Sequence, residues 1–597
     1  QLQELVRSHT QTVRNWGFNS QLIEIPKELY SHFDQSIYDL LGFSASNIID
    51  TFKVMTELVE ARSTKYFKDM SEIKSMDDTY GMLLKYHELI GQSKEEAESL
   101  FKSKGMRDLP KDDLFFMMVS HYDLRSPAKY IFDAEEIAVL LDVEEEIIEK
   151  TLSYFSYGFG DLAEDKKEFF FLENPIWSKP VIALKGGYYC SMPQLFFSFI
   201  LNTLDNIVEG INKASLHDRR SKFLERKIES IVKTRFPESQ VLSGVKWDLD
   251  GTQYETDLIA IIDSHLIIIE AKSQKISKPA LRGAPARIKR HLEEILIEPG
   301  IQSHRLEQKL NNIRKKGSSD DPLNDKLPVD INSIKNILRV SVSLEDFATL
   351  QTNLRFFNDT EWLPDDFSPC PSINLADFET LFDFLEHPVQ IIHYLQRRTE
   401  LEGEVNFIGD ELDFMGLYIT TLFNVEGMLT DDNIDVAITG MSEPLDKYYI
   451  SKDHGVLIEK PQPNISTFFK KIFDKLEERA IPRWTEIGAI LNRFPPDDQN
   501  KLSRYIETLT ASVHKTWKVE GHKNIAIYSP PESSEYSLSV VLYKNGNSDR
   551  RYEFFEHAAA LGLETQHVRF CLVIGINIDR NDLPYHYTAL SEAPSTE

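Results

Sequence analysis

The sequence predicts an α/β protein on three observations. Two β-branched apolar runs, Leu258 to Ile262 and Leu266 to Ile269, flank the polar Asp263-Ser264-His265 and form a hairpin. Apolar residues recur at helical spacing through the first 125 or so residues and again over 375–400 and 465–515. The last 70 residues alternate strand, turn, helix and strand.

At 597 residues the chain exceeds a single core, and three or four domains are expected. The expected division is a mainly α-helical region with a small hairpin over 1–212, a central α/β domain over 213–345, a mainly helical region over 346–515 and a small α/β module over 516–597. In the first region, Ile37, Leu40 and Leu41, then Ile48, Phe52, Met55 and Leu58, mark helical faces. Residues 133–156 form two helices joined at Asp142 and Val143. A DNA-reading pair is disfavoured because the second opens on Glu144, Glu145 and Glu146, which would repel phosphate, so packing or a protein contact is the expectation. Val181 to Leu184 and Tyr188 to Ser191 make a hairpin about Gly186-Gly187, and a helix follows from about Pro193 to Ile211. Polar residues from Asn212 to Arg220 mark a boundary, and residues 315–328 an exposed loop. In the last module, strand Leu538 to Tyr543, helix Tyr552 to Leu561 and strand Val568 to Ile576 are expected.

No apolar run approaches the 18 or so residues of a membrane span, and no signal-type start is present. The three cysteines, Cys190, Cys370 and Cys571, are far apart and form neither a zinc pair nor a disulfide framework, so a reducing cytoplasm is expected. No G-x-x-x-x-G-K-[ST] loop occurs, so no motor of that type is indicated. The net charge of −28 argues against non-specific nucleic-acid binding by the whole chain. One stretch is the exception. Between Lys272 and Arg290 stand seven basic residues and no acid: Lys272, Lys275, Lys278, Arg282, Arg287, Lys289 and Arg290. A phosphate backbone would suit it.

That stretch adjoins the segment Tyr254 to Ser273, YETDLIAIIDSHLIIIEAKS. Side chains alternate along a strand, so Glu270 and Lys272 share one face and Ala271 the other. Asp257 opens the partner strand near the end at which Glu270 closes its own. Two carboxylates and an ammonium thus converge at one edge of an apolar hairpin. Hard divalent ions use one or two carboxylates with water and substrate phosphate. Such an ion activates water, and a neighbouring lysine stabilises charge that grows in the transition state. Glu255 shares the strand face of Asp257, and a solvated neighbour is expected there. His217, His265, His291 and His304 lack zinc spacing.

The arrangement resembles the PD-(D/E)XK nuclease superfamily, and within it the nuclease-related domains of many bacterial proteins, over roughly 130 residues. That likeness implies a restriction-endonuclease-like mixed sheet flanked by helices. It implies a leading-helix acid, and SKFLERKIESIVKTRF offers Glu225, with Ile228 and Val232 on one face, or else Glu229 one turn on. It implies Mg²⁺ or Mn²⁺ held by Asp257, Glu270 and Ala271, with Lys272 and Glu225 completing the catalytic set. Lys275, Lys278, Arg282, Arg287, Arg290 and Gln302 are the expected nucleic-acid contacts, Gln302 by the position of a glutamine on the next helix of related nucleases. The sequence departs at Thr256, where the motif's name has proline, and at Leu306, where a Q-x-x-x-Y subgroup would have tyrosine. The expected function is metal-dependent phosphodiester hydrolysis in DNA, with RNA open, in defence or repair. The alternative is an inactive nuclease-like scaffold, its acidic flanks making protein contacts.

Overall fold

The computed structural model describes residues 15–594, apart from 104–105, 164–173, 238–239, 282–283, 317–320, 348, 353–362, 365–366, 405, 426–434, 520, 522, 532–533 and 581. The chain is α/β and forms two compact units, Asn19–Arg219 and Arg220–Glu597, the latter joined by Trp16–Phe18. From Arg220 onward, the three regions expected after residue 212 fall in one unit. Among the described residues no helix is long and apolar enough to cross a membrane. All three cysteines are buried and free.

The first unit is mainly helical, as its periodicity indicates. Its longest helix, Ala45–Ser75, starts at a reciprocal cap between Ser44 and Asn47. The pair Ala134–Leu141 and Glu145–Tyr154 turns at Asp142, which adopts φ 55. Val181–Leu184 pairs antiparallel with Gly187–Tyr189 inside a four-stranded sheet completed by Ile131–Phe132 and Ser156–Tyr157. The tight turn is Lys185-Gly186, because Leu184 already pairs with Gly187.

The expected boundary at Asn212 to Arg220 contains the division between the two units, at Arg219 and Arg220, and it is helical. Helix α1 runs Ile200–Lys233 with one non-helical residue, Asn212, at φ −157 and ψ 94. The Asn212 side chain accepts the amide of Ser215 at 3.1 Å, a cap that restarts the helix after the kink. The polar residues there form a largely solvated helix face.

In the second unit the central sheet has the order β1-β2-β3-β4-β5: Val241–Leu249, Thr252–Ile262, His265–Lys272, Asn336–Ser343 and Ser372–Asn374. The first three strands are antiparallel, and β4 and β5 run parallel to β3. Between β3 and β4 lie α2 (Pro285–Leu292) and α3 (Glu298–Lys316). Leu306, Leu310 and Ile313, one stripe of α3, pack on Ile259, Ile261, Leu266 and Ile268. Each such side chain contributes about 1.5–3 kcal/mol on burial. The expected exposed loop after α3 is tethered to this core by Leu323 and Leu327.

The helical region follows, with α4 (Leu375–Phe384), α5 (Pro388–Glu404), α6 (Thr467–Arg479), α7 (Trp484–Asn492) and α8 (Pro496–Thr516). The tip of the β2–β3 hairpin is fastened to it. Asp263, at φ 50, accepts the amides of Arg483 at 2.8 Å and Thr485 at 3.1 Å, capping α7. The buried His265 bridges Thr485 Oγ1 at 2.8 Å and Asn336 Nδ2 at 3.1 Å. The last sheet is Ile525–Tyr528, Tyr536–Tyr543, Phe570–Asn577 and Tyr587–Glu592, with helix Arg551–Gly562 crossing between its two parallel strands.

Candidate active site

Asp257, Glu270 and Lys272 meet where β2 and β3 stop pairing. The last paired residues are Leu258 and Ile269, and the same register carried one step further sets Asp257 opposite Glu270. Strict alternation does not hold here. Tyr254 packs with Trp247 against the core that holds Ile259 and Ile261, and the Trp247 indole donates to Thr256 Oγ1 at 3.1 Å. The alternation thus slips once between Thr256 and Ile259. Across the sheet stands Gly244, flanked by the pairs Ser243–Leu258 and Val245–Thr256, with φ +60. A residue with a side chain rarely takes that conformation. At the slip, Asp257 turns its carboxylate to the neighbouring strand and accepts the Ala271 N–H at 2.7 Å. The N–H and C=O of one strand residue point the same way. The Ala271 carbonyl therefore also lies on the Asp257 side, beyond the last ladder pair.

Glu270 is 2% exposed. It hydrogen-bonds toward Asp257 and Thr256, and burial, with the Asp257 charge second, pushes its carboxyl up to about 8. Its Oε1 has no hydrogen-bond partner. Asp257 is likewise raised, by burial first, against the pull of the Ala271 amide and Lys272. A buried carboxyl facing a half-buried one creates a place for positive charge. Lys272 donates from Nζ to Gln302 Oε1 of α3 at 2.7 Å. Gln302 thus stands beside the E-x-K strand.

The two acids considered on α1 are separated by their partners. Glu229 pairs with Lys233 at 2.7 Å, and its carboxyl is lowered by that hydrogen bond. Glu225 is exposed, and its carboxyl is raised by partial desolvation and then by the charges of Asp257 and Glu255. Glu225 is therefore the helix acid that senses the pair. Glu255 is exposed and lies 3.7 Å from Lys246 on β1, in keeping with a solvated neighbour.

The basic stretch is less positive than its composition. Glu293 and Glu294, just beyond it, pair with Lys289 at 3.8 Å and Arg290 at 2.7 Å. Arg287 is exposed and Lys275 half-buried. Lys278 opens the short helix Lys278–Leu281, and Arg282 lies outside the described residues.

No model of a known protein family, no curated protein and no solved structure matches this chain. The site rests on its own geometry. Among the described residues no group of three or more His, Cys, Asp or Glu side chains is placed to hold a metal ion. Two carboxylates and a main-chain carbonyl are nonetheless a donor set that Mg²⁺ uses, water completing its shell. Glu270 is buried and its Oε1 is left without a partner, so the protein alone does not satisfy that carboxyl.

Sequence reasoning missed the residues that hold the strand's exit. Arg220, 2% exposed, donates from Nε to the Ser273 carbonyl at 3.0 Å and from Nη2 to Glu345 Oε1 at 2.8 Å. His291 Nε2 accepts the amide of Ser277 at 3.2 Å, tying the next loop to α2. Neither residue belongs to a spacing motif, so no sequence signal was available.

Proposed function

We propose that this site hydrolyses phosphodiester bonds, most readily in DNA, as a PD-(D/E)XK-type nuclease that uses Mg²⁺ or Mn²⁺. One observation carries the reading: Asp257, Glu270 and Lys272 converge past the end of the hairpin ladder, with Glu225 within the field of Asp257. The order of leading helix, hairpin, E-x-K strand and following helix, on a mixed sheet, supports the same family.

Asp257, Glu270 and the Ala271 carbonyl would hold the cation. When bound, the cation supplies a Lewis acid for the phosphate and lowers the pKa of water. Lys272, fixed by Gln302, keeps its ammonium on the face of Glu270 and offsets charge that grows in the transition state. Glu225 adds an acid on the solvent side, suited to accepting a proton from water. Arg287 and Lys275 lie on the segment that leaves Lys272 and would steer the phosphate backbone.

The test is an incubation of the full chain with plasmid, linear DNA and RNA, with and without Mg²⁺ or Mn²⁺. Cleavage is expected only with metal. Asp257→Asn is expected to lose metal affinity by calorimetry. Lys272→Gln should cut on the order of a hundredfold more slowly with DNA affinity kept. A wild type that binds DNA and never cuts under either metal supports the scaffold reading instead.

A further inference from the structure

On β4, Ser341 pairs in parallel register with Glu270. Neighbouring strands lie about 4.8 Å apart, and in-register residues point to one face. Two contacts fix that face as the one covered by α3. Arg339, two residues before Ser341, reaches Glu307 at 2.9 Å and the Gly300 carbonyl at 3.1 Å. Lys272, two residues after Glu270, reaches Gln302. Ser341 is 0% exposed, and its hydroxyl has no hydrogen-bond partner. Ser343, the next residue on this face, is fully engaged: it donates to the Glu345 carbonyl at 2.7 Å and accepts from Gln351 at 2.8 Å.

Ser341 thus carries a buried hydroxyl without a partner in register with the residue whose buried carboxyl oxygen also lacks one, and buried polar groups ordinarily make their hydrogen bonds. Glu270's remaining contacts run to Asp257 and Thr256, away from β4. A carboxylate that turns one oxygen to a cation needs its other oxygen held, and donors behind such ligands commonly change metal affinity by about 10–100-fold.

We propose that Ser341 is a positioning residue for Glu270, donating its hydroxyl to the buried carboxylate oxygen while the other oxygen faces a divalent cation. This rests on the nuclease reading above. The experiment uses the full-length protein with Ser341→Ala and Ser341→Thr, read by Mn²⁺ calorimetry, urea unfolding without metal, and kcat and KM on plasmid DNA. Ser341→Ala should weaken Mn²⁺ binding about tenfold, lower kcat with KM unchanged, and leave metal-free unfolding within error of wild type. Ser341→Thr should restore Mn²⁺ affinity and kcat. Wild-type affinity and kcat in Ser341→Ala would overturn the assignment, as would a threonine variant no better than the alanine. If the wild type itself neither binds Mn²⁺ nor cuts, the nuclease reading falls. If it does both and Ser341→Ala matches it, only the role of Ser341 falls.

Discussion

Replacing Glu270 by glutamine should make the metal-free protein more stable at neutral pH and remove much of its pH dependence. Glu270 is nearly fully buried and its carboxyl is pushed up to about 8, from the 4.5 of an ordinary glutamate. The fold therefore favours the protonated form. Below about pH 4.5 the carboxyl is protonated in both states and its full contribution is present. As pH rises towards 8 the unfolded chain ionises first, and that contribution is lost. At about 1.4 kcal/mol for each tenfold change in proton affinity, the loss is at most about 5 kcal/mol, a large part of a typical domain's stability. Glutamine keeps shape and polarity without the charge, so the decline should flatten. Asp257 is raised with it, and the two titrate as a pair. The assay is urea unfolding from pH 5 to pH 9 in EDTA, followed at a probe in the central sheet. Wild type should lose stability across that range and Glu270→Gln should hold its own. Parallel curves for the two proteins would refute the reasoning, because the buried carboxyl would then not be the group that titrates.

Two further outcomes follow from the same contacts. His265, buried between Thr485 and Asn336, has its imidazole pushed down to about 4, so its neutral form is favoured in the fold. Its contribution, roughly 3 kcal/mol, is present above pH 6.5 and is lost as pH falls towards 4. His265→Gln should remove that acid dependence, and Thr485→Val should cost about 1–3 kcal/mol at pH 7 in urea unfolding; an unchanged acid limb in His265→Gln would clear His265 of the role. In DNA binding, Arg287→Ala should reduce the log–log salt slope by about 1, and Arg290→Ala by less, because Arg290 is already paired with Glu294. Equal slopes for the two variants would mean that the pair does not persist in solution.

The site was legible in the sequence because it is local. The β-branched runs set the hairpin, and its register brought Asp257 to Glu270 without reference to the rest of the chain. Gln302 was placed by family analogy alone, and the structure brings it to Lys272. What stayed hidden depends on residues distant in sequence or on one irregular position. Strand β1 carries Ser243, Gly244 and Lys246 among its apolar residues, and Gly244 breaks the face pattern that would reveal it. The kink at Asn212 is a side-chain cap inside a polar stretch, which composition marks as a boundary without showing that a helix runs through it. The positive count over residues 272–290 stopped just short of Glu293 and Glu294, the residues that neutralise part of it. Ser341 stands more than 70 residues after Glu270 in the chain, and only a parallel register makes them neighbours.

The cap between Asp263 and the first turn of α7 bears on how this chain can be cut for study. A fragment ending at residue 345 would contain every residue that spells the motif. It would also strip the hairpin tip of the amides of Arg483 and Thr485 and leave the His265 ring without its contact to Thr485. Asp263 and Ser264 would meet water where they now meet a helix end, at the far end of the same two strands that carry Asp257 and Glu270. An expression fragment that retains the site has to run past Asn492, the last residue of α7. By the same logic the two-residue hairpin turn, short and polar in sequence, is a poor place for an inserted tag or label.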